Sequence, residues 1–181
     1  DGDYRSALSE CDLMMHLASH TPNPPYAELG ECSFWNVSTA IALAEQAFEG
    51  GIKNYIIAGS CFEYGNSANN TFLLTPDTPL KPSLSYPISK AAASIAFTGW
   101  AREKGVRLKL IRIFQTFGPG ENEYRLWPSL IRAAKMGIDF NMTKGEQLRD
   151  FIRVEDVAKC FVKSLSLEKI IEGIPMITHA A

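Results

Sequence analysis

An α/β fold with a doubly wound parallel sheet is the class that this 181-residue sequence predicts. Three apolar runs of strand length support it, at residues 11–19, 54–59 and 106–114. Runs without polar alternation are typical of strands buried on both faces, as in a parallel sheet. Helical patterns at 33–48 and 86–104 separate these runs and are long enough to serve as crossover connections between parallel strands.

The first helix of this arrangement carries a continuous apolar face. Residues 1–10 are predicted as a loop running into a short helix, and residues 21–25 as a proline-rich loop. The helix at 33–48 follows and ends at Gly50 and Gly51. Its apolar face consists of Val37, Ala40, Ile41, Ala44, Ala47 and Phe48. We expect this face to pack against the sheet.

The second half of the chain continues the alternation of helices and strands. The helix at 86–104 ends at Gly105, and its alanines suit close packing. After it we predict a turn at 118–120, a helix from Trp127-Pro128 to Met136, a strand at 138–142 and a polar loop at 144–153. The last predicted elements are an amphipathic helix at 154–167 and a strand at 174–178. The inward face of this helix is expected to consist of Val157, Phe161, Val162 and Leu165.

Composition limits the classes of partner. Apolar residues make up 46% and charged residues 21%, with a net charge of -2, as in ordinary globular proteins. This charge gives no reason to expect nucleic acid or a membrane as a partner. The four cysteines show no metal-binding spacing, so we predict no metal site, reduced thiols and a cytoplasmic location. They are Cys11, Cys32, Cys61 and Cys160.

Three residues together suggest acid–base chemistry on a carbonyl or alcohol group. Ser60 follows the predicted strand 54–59, whereas Tyr86 and Lys90 lie four residues apart, on one face of a helix. We expect the ammonium of Lys90 to lower the tyrosine pKa from its usual value of about 10. A serine hydroxyl at the strand end could bind the same substrate oxygen. A Tyr-x-x-x-Lys pair alone is common in surface helices, so the surrounding sequence has to show whether this pair is catalytic.

The order along the chain is strand, Ser60, Tyr64-Gly65, a second proline-rich loop and the Tyr/Lys helix. This order resembles the extended short-chain dehydrogenase/reductase family, in its NAD-dependent epimerase/dehydratase branch acting on nucleotide sugars. Four further segments match the family's motifs in order over nearly the whole chain, namely Gly2-Asp3-Tyr4, His16-Leu17-Ala18-Ser19, the segment from Arg112 to Gly120, and the segment from Gly145 to Asp156.

The resemblance implies a Rossmann-like fold and a role for each matching residue. Residues 1–120 would be a partial dinucleotide-binding domain, and residues 121–181 a partial substrate-binding portion interleaved with its last elements. Ser60, Tyr86 and Lys90 would be catalytic. The implied cofactor contacts are Asp3, Tyr4, Leu17, Ala18, Ser19, Asn36, Ala58, Tyr86, Lys90 and Phe114. The implied substrate contacts are Ser60, Gln115 and Arg149.

The implied ligands are NAD, with NADP not excluded, and a nucleotide-diphosphate sugar. A homodimer through the Tyr86 helix is also expected. Arg149 could hold phosphate oxygens in a bidentate manner, or it could pair with a nearby acid. Two positions depart from the family pattern: Ser38 replaces a glycine, and Gln115 replaces an asparagine.

The glycine-rich turn with which the family begins is absent from this sequence. The sequence starts at Asp1, and its first methionine is Met14, inside a predicted strand. We therefore expect an incomplete chain that lacks the first βαβ unit and does not bind a dinucleotide tightly by itself.

The residues after Ser60 narrow the choice of reaction. Dehydratases of the family usually carry Asp-Glu there, but this chain has Cys61 and Phe62. Phenylalanine has no titratable group, which argues against a dehydratase. An epimerase and a 4-ketoreductase both remain. The alternatives are a non-catalytic Rossmann-like nucleotide-binding scaffold, or a reductase of a non-nucleotide carbonyl substrate, which the change at Gln115 could indicate.

Overall fold

The computed structural model describes residues 4–166 and 169–181, so Asp3 lies outside the described residues. In chain order the elements are α1 (Arg5–Leu8), β1 (Met14–His16), α2 (Leu29–Ser33), a π-helical segment (Phe34–Thr39), α3 (Ala40–Glu49), β2 (Asn54–Ser60), two 3₁₀ turns (Cys61–Tyr64 and Asn66–Asn70), α4 (Ser85–Lys104), β3 (Arg107–Ile113), β4 (Gln115–Phe117), α5 (Leu126–Met136), β5 (Phe151–Arg153), α6 (Val154–Lys163) and β6 (Met176–Ala180).

The described residues form a four-stranded parallel sheet in the order β1-β2-β3-β6. Strand β2 is buried on both faces, as the apolar run predicted. Its alternate residues contact different helices, since side chains along a strand point to opposite faces. Tyr55 and Ile57 pack in a core with α3 and α4, whereas Ile56 and Ala58 pack in a core with α6. The α/β fold with a parallel sheet covered on both faces is therefore confirmed.

The first long helix is more irregular than its sequence suggests. Helical structure begins at Leu29 rather than at residue 33, and it passes through the π-helical segment before α3. Wide turns of this kind insert an extra residue and often occur at functional sites. Here the segment carries Asn36, which is buried. The helix still contacts the core through Ala40, Ala44 and Ala47, as predicted.

The predicted strand at 138–142 is wrong. The alternation of Ile138, Phe140 and Met142 suggested a strand, but the segment forms no ladder, and Ile138 and Met142 are exposed. The predicted polar loop at 144–153 instead ends in β5, which pairs in parallel with β4. Neither β4 nor β5 was predicted, because each is three residues long and is defined by its pairing partner.

The predicted helix at 154–167 is shorter than expected. It ends at Lys163, and its contacts with the sheet come from Val157 and Phe161. Val162 and Leu165 are exposed rather than inward, because Val162 is one residue further around the helix and Leu165 lies beyond its end. Among the residues that the structure describes, no helix is long and apolar enough to cross a membrane.

Candidate active site

A cavity of about 300 Å³ lies at the edge of the sheet where β2 and β3 end. This is the edge at which open α/β sheets bind ligands. The structure brings eight of the predicted site residues to this cavity: Leu17, Ser19, Ala58, Ser60, Tyr86, Lys90, Phe114 and Gln115. Ala18 and Asn36 line an adjoining cavity, which Ser19 also borders.

Ser60 is held at its place by the turn that it begins. It is the last residue of β2, and its Oγ accepts a hydrogen bond from the Phe62 backbone N–H at 3.3 Å. Its own backbone N–H donates to Glu63 Oε1 at 2.7 Å. These reciprocal bonds form a capping box, which fixes the angle at which the chain leaves the sheet.

Lys90 is almost completely buried and donates from Nζ to the Ala58 carbonyl at 2.7 Å. This bond joins α4 to the end of β2. Burial lowers the pKa of Lys90, and the negative charge of Glu63 acts in the opposite direction. The side chain thus uses one of its three donors to hold the helix against the strand.

The pKa of Tyr86 does not follow the prediction. Burial raises it, while hydrogen bonds with the side chains of Ser19 and Ser60 act to lower it. Lys90 was expected to be the main influence, but its ammonium is bonded to the Ala58 carbonyl. In this buried setting, loss of solvation outweighs the contributions of the two serine side chains that favour the phenolate.

Two contacts around Tyr86 and α4 had no signal in the sequence. The ring of Tyr26, directly after the proline-rich loop at 21–25, stacks on the Tyr86 ring with centroids 5.4 Å apart. Ser85 Oγ donates to the Ala27 carbonyl at 2.7 Å, which fastens the same loop to the start of α4. The loop therefore covers one face of the tyrosine that was predicted to be catalytic.

The amide of Asn36 is engaged with protein groups. Its Nδ2 donates to Ser89 Oγ at 2.9 Å, and its Oδ1 accepts from the His20 backbone N–H at 2.7 Å. Asn36 is the buried residue of the π-helical segment. Asn36 thus joins the loop after β1 to α4, beside the two cavities.

Sequence reasoning missed a buried ion pair directly behind the cavity. Arg112 Nε and Glu63 Oε2 lie 2.9 Å apart, with the side chains 3% and 0% exposed. In the sequence, Arg112 stands out only as the first residue of a motif. The signal that could have found Glu63 is its position three residues after Ser60, since Ser-x-x-Glu is the pattern of a capping box.

Cys61 and Phe62 both line the cavity, at the positions where dehydratases were expected to carry carboxylates. Burial raises the pKa of the Cys61 thiol to about 12, and the charge of Arg149 partly opposes this. The thiol is therefore protonated at neutral pH. It cannot replace an ionised carboxylate as a base.

Tyr4 and Arg149, which were predicted to contact the cofactor and the substrate respectively, are both exposed, unlike Ser60, Tyr86 and Lys90. Arg149 is exposed, yet its charge reaches Cys61 and Tyr26. Tyr4 is exposed, outside the lining of both cavities, and its backbone N–H donates to Gln46 at 3.0 Å. Sequence analysis also missed Arg125, which lines the cavity and pairs with Glu121 at 3.2 Å. The cavity is thus lined by one arginine, Arg125, and Arg149 lies near enough for its charge to act on Cys61.

No cluster of three or more His, Cys, Asp or Glu side chains able to hold a metal ion occurs within residues 4–166 and 169–181.

Comparison with known proteins gives a consistent family. The model of the NAD dependent epimerase/dehydratase family matches residues 2–173, so this chain belongs to that family. The prediction from the motifs is confirmed at this level, including NAD as the cofactor of the family. The curated relatives comprise nucleotide-sugar epimerases, dehydratases and a reductase.

Individual relatives match over most of this chain but only part of their own length. UDP-glucose 4-epimerase from Corynebacterium glutamicum is 28% identical over 149 residues, covering 73% of this chain and 45% of the relative. GDP-6-deoxy-D-mannose reductase from Pseudomonas aeruginosa is 27% identical over 166 residues, covering 86% of this chain and 54% of the relative. The chain spans about half the length of these curated relatives.

A solved structure shows the same fold. UDP-N-acetylglucosamine 4-epimerase from Methanobrevibacter ruminantium M1, in complex with UDP-N-acetylmuramic acid, has a TM-score of 0.86 at 26% identity. The match covers 100% of this chain and 58% of that chain.

Proposed function

We propose that the protein is an NAD-dependent nucleotide-sugar epimerase or 4-ketoreductase, with hydride transfer at a sugar carbon. The observation that carries this proposal is the meeting of Ser60, Tyr86 and Lys90 in one cavity at the carboxyl edge of the sheet. Family membership supports the same class of chemistry.

Tyr86 is the acid–base group in this proposal. Its phenolate, which has to form against the raised pKa of the buried phenol, takes the proton of a sugar hydroxyl as the hydride leaves the carbon. Its phenol returns a proton when a keto oxygen is reduced. Ser60 donates to the same oxygen and holds it beside Tyr86. Lys90 keeps α4 against β2 through the Ala58 carbonyl. The two hydroxyls are therefore in place before substrate arrives.

The residues around the cavity fit a nicotinamide dinucleotide. Leu17 and Ser19 come directly after the end of β1. They line the cavity together with Tyr86 and Lys90, at the edge of the sheet where such cofactors bind. The chemistry that NAD supplies in such a site is the acceptance and return of a hydride. The predicted split of the chain at residue 120 stays a prediction, as does a homodimer through α4.

A nucleotide-diphosphate sugar fits the charge at the cavity mouth. Arg125 lines the cavity, and the charge of Arg149 reaches Cys61 within it. Guanidinium groups suit phosphate oxygens because their donors are planar and paired. Gln115 lines the same cavity and offers an amide to the nucleotide or the sugar. The protonated Cys61 thiol and Phe62 supply no carboxylate for elimination of water.

The experiment is Tyr86→Phe in the full gene product, assayed for NAD reduction and sugar conversion with UDP-, dTDP- and GDP-sugars. We expect turnover to fall by about 10²–10⁴-fold, because the proton acceptor is lost. Binding of NAD, measured by calorimetry, should persist. Analysis of the sugar product separates an epimerase from a ketoreductase.

The control is Tyr55→Phe, which removes another buried phenol, bonded to the Ile52 carbonyl near the opposite end of β2. It should leave turnover unchanged at temperatures where the protein is folded. Undiminished turnover in Tyr86→Phe would contradict the proposed chemistry. If neither the wild type nor the variant turns over a sugar but both bind nucleotide, a non-catalytic scaffold becomes the better interpretation.

A further inference from the structure

We propose that Glu63 is a positioning residue that sets the placement of Ser60 relative to α4, with Arg112 as its buried counter-charge. This inference rests on the proposed function, because it concerns the residues to which acid–base chemistry was assigned above. It explains why a buried ion pair lies directly behind the cavity.

Both carboxylate oxygens of Glu63 are used, and they bond to different elements. Oε1 accepts from the Ser60 backbone N–H at 2.7 Å. Oε2 accepts from Ser94 Oγ at 2.8 Å and from Arg112 Nε at 2.9 Å. Ser60 ends β2 and Ser94 lies on α4. A single side chain therefore joins the two elements that carry the proposed catalytic groups.

The hydrogen bond between Glu63 and Ser94 lies on the face of α4 that also carries Tyr86 and Lys90. Tyr86, Lys90 and Ser94 follow each other at intervals of four residues, so they lie along one side of the helix. Lys90 bonds to the Ala58 carbonyl, one turn before Ser94 bonds to Glu63. These two anchors fix both the rotation of α4 and its distance from β2. Tyr86, one turn earlier, is placed as a result.

The same carboxylate also determines how Ser60 presents its hydroxyl. Because Glu63 holds the Ser60 backbone N–H, the turn brings the Phe62 N–H to Ser60 Oγ at 3.3 Å. One of the two acceptor positions of the oxygen is thus used, and its single proton is left to donate. Tyr86 lines the same cavity, and the Ser60 side chain acts to lower the pKa of its phenol. A substrate oxygen between the two hydroxyls would receive that proton as a hydrogen bond.

Arg112 makes this arrangement possible in a buried place. An unpaired carboxylate with no exposed surface would be strongly unfavourable, and Arg112 supplies the opposite charge at 2.9 Å. The guanidinium is itself held, because Nη1 donates to Tyr64 Oη at 2.8 Å and to the Pro76 carbonyl at 3.0 Å. The pair is therefore fixed on both sides rather than free to reorient.

Glu63→Gln in the full gene product tests the proposal. The change preserves size but replaces one carboxylate oxygen with an NH₂ group, which donates and cannot accept. The side chain therefore loses either the bond from the Ser60 N–H or the bonds from Ser94 and Arg112. We expect kcat to fall by about 10²-fold, as a small misplacement of reacting groups does. The KM for the nucleotide sugar and the Kd for NAD should stay within about twofold, because neither ligand site loses a contact.

Ser94→Ala is the second variant, since it removes only the bond between α4 and Glu63 and leaves the ion pair intact. It should lower kcat in the same direction and by less. Thr98→Val is the matched control. Thr98 is one turn further along α4, and its hydroxyl donates to the Ser94 carbonyl of its own helix at 2.7 Å. It should retain wild-type kcat.

The outcomes are decisive in each case. A folded Glu63→Gln protein with wild-type kcat, or with only a raised KM, overturns the positioning role. If Glu63→Gln does not fold, Ser94→Ala decides, and wild-type kcat in that variant overturns it. Tyr86→Phe is measured in parallel. Turnover that survives Tyr86→Phe refutes the proposed function itself, whereas loss in Tyr86→Phe with no loss in the other two refutes only the role of Glu63.

Discussion

The region from β2 to α4 and the region from α5 to β5 use charged side chains in opposite ways. Helix α4 has 20 residues, of which ten are buried, including Tyr86 and Lys90. In α5, which has 11 residues, only Ala133 is buried, and residues 141–150 are all exposed. The groups proposed for proton transfer are thus held inside the protein, while Arg149 lies in solvent.

This difference matches the work proposed for each region. Proton transfer needs groups that do not reorient at the moment of reaction, and burial with fixed hydrogen bonds provides this. A phosphate at the cavity mouth can be met by a solvated arginine that adjusts to it. If the buried region is as tightly determined as its contacts indicate, changes to its side chains should cost more stability than changes in the exposed region.

Arg112→Met should be the most damaging change to stability. It leaves the Glu63 carboxylate buried without its counter-charge, which typically costs about 3–5 kcal/mol of unfolding free energy. Urea unfolding followed by circular dichroism measures the loss. Arg149→Met is the matched control in the exposed region, and it should change stability by less than about 0.5 kcal/mol. Equal losses of unfolding free energy in the two variants would contradict the difference proposed between the buried and the exposed region.

Gly59→Ala should cause the second-largest loss of stability. A Cβ on this strand residue would lie 2.8 Å from Glu63 Oε1 and 2.9 Å from Leu110 Cδ2. Such overpacking typically costs about 1–3 kcal/mol. Gly99→Ala, in the middle of α4, meets no atom within 4 Å and should instead stabilise the protein by about 0.5–1 kcal/mol. Thermal melting of both variants tests whether Gly59→Ala lowers the melting temperature and Gly99→Ala raises it. A higher melting temperature of Gly59→Ala would contradict the close packing behind Ser60.

Mild acid should cause a smaller loss of stability through two histidines of the main sheet. Burial lowers the pKa of His16 and of His179 below 6.5, with further lowering by Lys90 and Arg112 respectively. The unfolded chain therefore takes up protons first as the pH falls, so stability is full above about pH 6.5 and declines below it.

Melting temperatures measured across this pH range test the decline. His179 Nε2 lies 2.6 Å from Tyr64 Oη, and protonation would remove its ability to accept that hydrogen bond. The double variant His16→Gln, His179→Gln should show a shallower decline below pH 6.5 and the wild-type slope above neutral pH. An unchanged slope in the variant would assign the acid sensitivity to other groups.

Local patterns were sufficient where an element is defined by its own residues. The apolar run of β2 and the long helical pattern of α4 predicted both elements, and the four-residue spacing placed Tyr86 and Lys90 on one face. Patterns failed where an element depends on a distant partner. Strand β5 exists because β4 is beside it, and Ile138 to Met142 alternate like a strand but have no partner.

The sequence by itself determined the parallel α/β class, the family and the meeting of Ser60 with Tyr86 and Lys90. These follow from hydrophobic periodicity, from motif order and from the shared edge at which parallel strands end. Only the tertiary structure decided that Lys90 bonds to Ala58 rather than tuning Tyr86, and that Glu63 and Arg112 pair behind the cavity. Residues 49 positions apart meet there, and the pKa values depend on a burial that arises only when helix and sheet have packed.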